Sequence, residues 1–404
     1  MAVNLTAPER IEPVPGARWA VAEAAIKKPG RNDMALLVLP EQAAVAGVFT
    51  QNAFAAAPVR VAQAHLAAGR VRALVVNSGN ANAGTGRGGL ADADACCAQA
   101  AAVLGLDAEQ VLPFSTGVIG QRLPLERMLA QFDTLGQTLA EDAWLDAAQA
   151  IMTTDTVAKG GSRAVDIGNG ERIVLSGIAK GSGMIRPDMA TMLAFIVTDA
   201  TIDPPDLDAA LRAAMTNSFN AISVDGDTST NDACIACATG AGPVLSTADQ
   251  GWAGFVAALT DLARELAQSI VRDGEGATRF ITLAVTGAAD AAEAREVAFT
   301  VAHSPLVKTA CFAGDPNWGR ILAAIGRAPV PGFSIDRVSI ALDQVAIVAE
   351  GEPRDDYREA DGAAVMARAE YTIAIDLGRG AGEATIWTSD LSYEYVRINA
   401  EYRS

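Results

Sequence analysis

Histidine is nearly missing from this 404-residue chain, which holds only His65 and His303. His65 sits in an alanine-rich helical pattern and His303 stands beside Ser304-Pro305, so there is little material for a Ser-His-Asp triad or a histidine metal site. That scarcity gives weight to a mechanism needing no imidazole. Cysteine is also sparse: Cys96, Cys97, Cys234, Cys237 and Cys311 are an odd set with no secreted disulfide framework. Cys234-Ile-Ala-Cys237 has redox or metal spacing, but no second such pair and no flanking histidine completes a zinc site, so buried thiols and no metal are expected. Lys and Arg number 31 against 48 Asp and Glu, a formal net charge of −17. They form no run, which argues against a nucleic-acid surface and against binding to an anionic membrane. No apolar run approaches the ~18 residues of a membrane span. The opening residues MAVNLTAPERIEP lack a basic segment leading into an apolar stretch, so a cytoplasmic protein is the expectation.

What is abundant is glycine, 37 residues against 11 Phe, 5 Tyr and 5 Trp, which implies many tight turns and close backbone approaches. Residues 71–76 (VRALVV) read as a buried strand running into Asn77-Ser78-Gly79-Asn80-Ala81-Asn82, and residues 90–104 have helical spacing. Ser115-Thr116-Gly117 precedes a helix expected over 124–136 and closed by its glycine. Helices are also expected over 142–152, from 203 to about 215, and over 248–271. Strands are expected from 280, over 338–349 and over 371–377. The alternation gives an α/β class.

The densest stretch is KGSGMIRPDMAT, Lys180 to Thr191, followed by the apolar run Met192 to Val197. A glycine-rich turn and a proline deliver the Thr191 hydroxyl to the mouth of a buried strand. Threonine is a weak nucleophile that needs a base, and its own α-amino group serves once the preceding peptide bond is cut. A plain glycine loop, with Thr191 present for its β-propensity, is the competing reading. Ser115-Thr116-Gly117 alone reads as an ordinary turn, and Glu275 between two glycines reads as a solvated charge at a helix end. The acidic loop 225–232 lacks the spacing of a calcium loop and reads as turn structure.

Eight separated segments resemble the ornithine acetyltransferases, or bifunctional glutamate N-acetyltransferases, of the cyclic arginine-biosynthesis pathway. They are Asn77 to Asn82, Ser115-Thr116-Gly117, Met152-Thr153-Thr154-Asp155, Lys180 to Leu193, Asp225 to Asp232, Glu275-Gly276, Asp315 to Arg320 and Asn399 to Ser404. The chain departs from the family's usual Ala and Asn at Ser182 and Asp188. The resemblance implies self-cleavage between Ala190 and Thr191, giving an α chain of residues 1–190 and a β chain of 191–404. Within the β chain, 191–280 would complete the catalytic domain and 281–404 form a C-terminal α/β domain. It implies a layered α/β sandwich of the self-processing, N-terminal-nucleophile-like type, assembled as a heterotetramer of two α and two β chains.

It further implies Thr191 as nucleophile and Thr116 with Gly117 as oxyanion hole. Thr153, Thr154, Lys180, Thr191, Glu275, Asn399 and Ser404 would be the substrate-binding set. Lys180, the hydroxyls and Asn399 suit carboxylate and amide oxygens, and Glu275 suits an ammonium. Asn317 and Arg320 are candidates for supporting the pocket. The implied reaction moves an acetyl group from N2-acetyl-L-ornithine to L-glutamate with no cofactor, acetyl-CoA being a second donor used by some relatives. Two rivals stay open: an aminopeptidase or amidase of the related fold, and a non-catalytic amino-acid-binding protein.

Overall fold

A computed structural model of the chain describes residues 2–168, 170–186 and 192–402. Two sheets lie face to face in its first part. One has the spatial order Arg18–Ala22, Met34–Val38, Ala73–Asn80, Val111–Val118, and the other Ala44–Phe49, Ala233–Ala238, Leu193–Thr198, Glu171–Lys180, Lys159–Gly168. The strand Leu193–Thr198 is buried along its whole length, and its alternate residues serve two cores. Leu193, Phe195 and Val197 pack toward the first sheet, against Leu74, Val76, Leu112 and Phe114. Ala194 and Ile196 pack the other way, with Leu207 and Leu211 of the helix Pro204–Thr216 and Leu262 and Leu266 of the helix Trp252–Arg272. Burial on both faces is why the strand reads as a continuous apolar run instead of an alternating one.

The first sheet's outer face is covered in the same way. Leu36 and Val75 meet Cys96, Cys97 and Ala100 of the helix Gly86–Leu104, together with Met128, Phe132 and Leu135. The result is four layers, helix, sheet, sheet, helix. The helix Trp252–Arg272 presents Phe255, Leu259, Leu262, Leu266 and Ile270 at three- and four-residue spacing, which makes one apolar stripe. Cys234 and Cys237, three apart in one strand, face opposite cores. Both thiols are buried, and burial raises the pKa of each above the ordinary thiol range.

A third sheet has the order Glu352–Pro353, Val345–Ala349, Ser339–Leu342, Glu370–Asp376, Phe280–Ala288, Gly382–Ser389, Ile222–Ser223. It is built from residue 280 onward except at one edge, where Ile222–Ser223 pairs in parallel with Trp387 and Thr388. Two expected elements differ. The helix over 124–136 is two short helices, Leu125–Leu129 and Phe132–Gln137. Gly136 lies inside the second of them; a β-carbon there would come 2.4 Å from the Val103 side chain, so this glycine serves helix contact and not a cap. The single strand over 338–349 is a hairpin that turns at Asp343, whose φ is +46°. Among the described residues no helix is long and apolar enough to cross a membrane.

Phe195 stands between the two sheets with ring centroids 5.2 Å from Phe114 and 6.0 Å from Trp19. Phe195→Ala should cost about 3–5 kcal/mol through lost transfer energy and an unfilled cavity. Urea unfolding of the variant measures it, and a loss below about 1 kcal/mol would show that this interface is not tightly packed.

Candidate active site

The sheet register brings the candidate residues together. Lys180 pairs with Leu193, and Leu193 with Ala233, so the chain leaves the second sheet at Lys180 and re-enters it beside the same point. The parallel strands Ala73–Asn80 and Val111–Val118 end nearby, with Gly79 opposite Gly117. Asn231 joins the two sheet ends, its side-chain amide donating to the carbonyls of Ala81 (2.6 Å) and Ser115 (2.9 Å). Ser115 in turn donates to Asn77 Oδ1 at 2.6 Å. The asparagine-rich strand end, the Ser-Thr-Gly turn and the acidic loop, three separate sequence motifs, are thus one hydrogen-bonded unit.

A cavity of about 280 Å³ lies at this junction. Its wall contains Thr116, Gly117, Thr153, Thr154, Lys180, Glu275 and Asn399, all seven of the candidate catalytic and substrate-binding residues that the structure describes. Thr191, Ala190, Asp188 and Ser404 lie outside the described residues; Met192, the residue after Thr191 in the chain, lines the cavity. Gly117 has φ +136°, and a β-carbon on it would fall 2.2 Å from the Gly79 carbonyl carbon, so no other residue fits. Lys180 Nζ donates to Thr116 Oγ1 at 3.1 Å. The Thr116 hydroxyl hydrogen has no acceptor among the described residues and can donate to an anionic oxygen. Gly117's backbone N–H is a second donor type suited to such an oxygen.

Three buried ionisable groups line the cavity. Burial lowers the Lys180 pKa, with Asp155, Asp232 and Glu275 opposing that shift. Asp232 shows the reverse: burial pushes its carboxyl well above the ordinary range despite Ser229 and Lys180, and its Oδ2 has no hydrogen-bond partner. Glu275 is 7% exposed, which removes the solvated-charge reading. Asn399 Nδ2 donates to Glu275 Oε2 at 2.8 Å and so fixes the carboxylate from the C-terminal helix Tyr393–Ala400. A β-carbon on Gly183 would lie 2.3 Å from Glu275 Oε2, so glycine at 183 is what lets this carboxylate approach the loop.

Behind the wall lies a charge cluster. Lys159 Nζ bonds Asp155 Oδ1 and Asp273 Oδ2, each at 2.7 Å, with all three side chains buried. Asp155 Oδ1 also accepts the Gly181 N–H at 2.7 Å, and Oδ2 accepts that of Thr153 at 2.9 Å. Burial alone would raise the Asp155 pKa, yet Lys159, Lys180 and these hydrogen bonds bring it below the ordinary value. Ser182, one of the chain's departures from the family pattern, donates to the Asp273 carbonyl at 2.5 Å and ties the Lys180 loop to the Glu275 turn. Asp225 accepts the Met184 and Ile185 N–H groups at 2.6 and 2.8 Å, so the acidic loop clamps this same segment.

Not every motif reaches the cavity. Asn317 caps the helix Trp318–Gly326 through Arg320 N–H, and Arg320 bonds the Leu306 carbonyl, so this motif supports a helix. His303 rests on Ser223 Oγ at 2.9 Å, and burial lowers its pKa to about 4. Asp155, Lys159, Asp232, Asp273 and Tyr402 belong to the site or its support and had no role in the sequence reading. For Asp155 and Asp232 the signal was their place inside matching segments; Lys159 and Asp273 carried none. Lys27, Lys28 and Arg31, three cations within five residues, are a basic cluster where no run was expected, and they line a second cavity.

Comparison with known proteins gives one family. A model of the ArgJ family matches residues 18–404. An arginine biosynthesis bifunctional protein ArgJ of Methylococcus capsulatus is 54% identical over 397 residues, covering 98% of this chain and 97% of that protein. A crystal structure of an arginine biosynthesis bifunctional protein argJ from Bacillus halodurans is 41% identical, with TM-score 0.49, covering 51% of this chain and 97% of that one. An ornithine acetyltransferase from Mycobacterium tuberculosis, solved with ornithine, is 38% identical, with TM-score 0.38, covering 44% of this chain and 94% of that one.

The cluster predicts an acid-sensitive support. The folded-state pKa of Asp155 lies below its ordinary value of 3.8, so its stabilisation is complete above that value and is lost as pH falls through the folded pKa. Asp155→Asn should therefore cost about 3–5 kcal/mol at neutral pH, leaving Lys159 poorly paired. Its deficit should shrink as pH drops below about 4. Unfolding of both proteins across pH measures this; a deficit independent of pH would remove the charge interaction as its cause.

Proposed function

This chain belongs to the ArgJ family, and from that premise we propose that it is a glutamate N-acetyltransferase moving the acetyl group of N2-acetyl-L-ornithine to L-glutamate through an ester on Thr191. The observation carrying the reading is the single cavity lined by seven candidate residues from separate parts of the chain. The Thr191 oxygen attacks the acetyl carbonyl, and the resulting oxyanion takes hydrogen bonds from the Thr116 hydroxyl and the Gly117 N–H. The C–N bond then breaks, ornithine leaves with its amine protonated, and the acetyl group remains as an ester. The glutamate α-amine attacks that ester, its C–O bond breaks, and the Thr191 hydroxyl is restored. Amide energy is carried through the ester, so the cycle needs no cofactor.

Lys180 supports this assignment twice. Its Nζ donates to Thr116 and so orients that hydroxyl, and it offers further donors to the substrate carboxylate. Glu275, held by Asn399, takes a substrate ammonium, and Thr153 and Thr154 supply hydroxyls on the same wall. Ser404 completes the substrate set in this proposal. Acetyl-CoA serves as an alternative donor.

The base for Thr191 is its own α-amine, released when its hydroxyl attacks the Ala190 carbonyl and water hydrolyses the ester formed. The mature enzyme then consists of residues 1–190 and 191–404, the latter divided near residue 280, paired as two α and two β chains in the cytoplasm. An amidase of similar fold would release ornithine to water; a transferase releases it rapidly only when glutamate accepts the acetyl group.

Purified protein should run as two fragments, the second beginning Thr191-Met192-Leu193, and Thr191→Ala should remain one inactive chain. N-terminal sequencing checks this, and an active uncut wild-type enzyme would sink it. Thr116→Ala should lower turnover by about 10² or more with a smaller change in substrate binding. Steady-state kinetics that leave turnover unchanged would remove Thr116 from the oxyanion site.

A further inference from the structure

A second cavity, of about 250 Å³, opens on the other side of the oxyanion turn and shares Gly117, Thr153, Thr154 and Tyr402 with the first. The two differ in charge. The first holds Glu275 and Asp232 together with Lys180, whereas the second is lined by Lys27, Lys28 and Arg31. In a chain of net charge −17, three cations at one cavity is a local inversion.

These cations meet no salt-bridging carboxylate among the described residues. Arg31 is fixed by Ser78 Oγ (3.1 Å) and by the Ala150 and Met152 carbonyls (3.0 and 2.8 Å), which caps the end of the helix Trp144–Ala150, and its charge also acts on Asp33, whose pKa it lowers against the effect of burial. Lys27 donates to the Tyr402 carbonyl at 2.9 Å and lies 4.8 Å from the centre of the Tyr402 ring. Two acids share this wall, but each has other partners: Asp33 accepts the Ala24 and Ile26 N–H groups at 2.7 and 2.6 Å, and Glu401 pairs with Arg397 at 3.2 Å.

We propose that the two cavities sort the side chains of the two amino acids, the basic one, with Lys28, Lys27 and Arg31, holding the γ-carboxylate of the acceptor glutamate. This rests on the acetyltransfer reading above. A nucleophile that serves a cationic donor and an anionic acceptor in turn faces opposite side-chain charges at one reaction centre. Cavities of opposite lining that meet at Gly117 give each charge its own complement, with no rearrangement between half-reactions.

Lys28 is exposed and has no carboxylate partner among the described residues, so its replacement should leave folding intact. The experiment uses the full mature enzyme acetylated by N2-acetyl-L-ornithine, then mixed with L-glutamate, with L-glutamine or with neither, each half-reaction being followed by intact mass. Lys28→Glu should lower kcat/KM for deacetylation by glutamate about tenfold, mostly through KM. Acetylation by the donor, deacetylation by glutamine and hydrolysis should change by less than about twofold, and Lys28→Arg should restore the glutamate step. Equal losses for glutamate and glutamine, or no loss for either, overturn the assignment. A variant that keeps glutamate transfer but loses use of acetyl-CoA also overturns it, moving the pocket to phosphate groups. If the wild type forms no acetyl-enzyme, the acetyltransfer reading falls, and this inference with it.

Discussion

The buried carboxylate of Asp155 is the contact on which the rest of the site depends. Its two oxygens hold Lys159, the Gly181 N–H and the Thr153 N–H, and Lys159 reaches across to Asp273 at the end of the long helix. Three segments distant in sequence are thereby fixed to one point: the Thr153-Thr154 turn, the Lys180 loop and the turn carrying Glu275. Buried ion pairs add little stability compared with a well-packed apolar replacement, because desolvation offsets the attraction. They do impose geometry, since each charge must keep its partners. A site that has to hold one lysine and two acids in a single cavity has a use for that constraint.

The layered sheets supply the second constraint. Strand ends from both sheets converge where Asn231 bonds Ala81 and Ser115, so the Ser-Thr-Gly turn of one sheet is tied to the segment that enters the strand Ala233–Ala238 of the other, beside Leu193 and Lys180. Gly117 shows how tight this closure is. Its contact with Gly79 leaves no room for a side chain. Two cavities share Gly117 at this turn, one holding Glu275, Asp232 and Lys180 and the other Lys27, Lys28 and Arg31 with Asp33 and Glu401.

Much of this was legible in the sequence, for identifiable reasons. The apolar run after Thr191 and the stripe of the helix Trp252–Arg272 report burial directly, because one-residue or 3.6-residue periodicity is what burial imposes. Thr116, Gly117, Thr153, Thr154, Lys180, Glu275 and Asn399 were named through the family resemblance of their segments, and they line one cavity. What could not be read were relationships across the chain. Lys159 sits in an unremarkable strand segment, and Asp273 reads as a helix terminus; only folding puts them 2.7 Å apart. Glu275 shows the limit from the other side: two flanking glycines look like solvent exposure, whereas Gly183 and Asn399 bury the carboxylate. Ser182 appeared only as a departure from a family pattern, and its hydroxyl closes the loop onto Asp273.

The central claim is that acetyl transfer passes through an ester on Thr191 and that glutamate, not water, clears it. The most direct measurement is intact and peptide mass spectrometry of the enzyme mixed with N2-acetyl-L-ornithine alone, then chased with L-glutamate. The account predicts one added acetyl group on the peptide beginning at Thr191, accumulating with release of one equivalent of ornithine and disappearing on the chase as N-acetylglutamate forms. Glutamate-dependent turnover with no acetylated Thr191 peptide at any time, or an acetyl group carried on another residue, would contradict it.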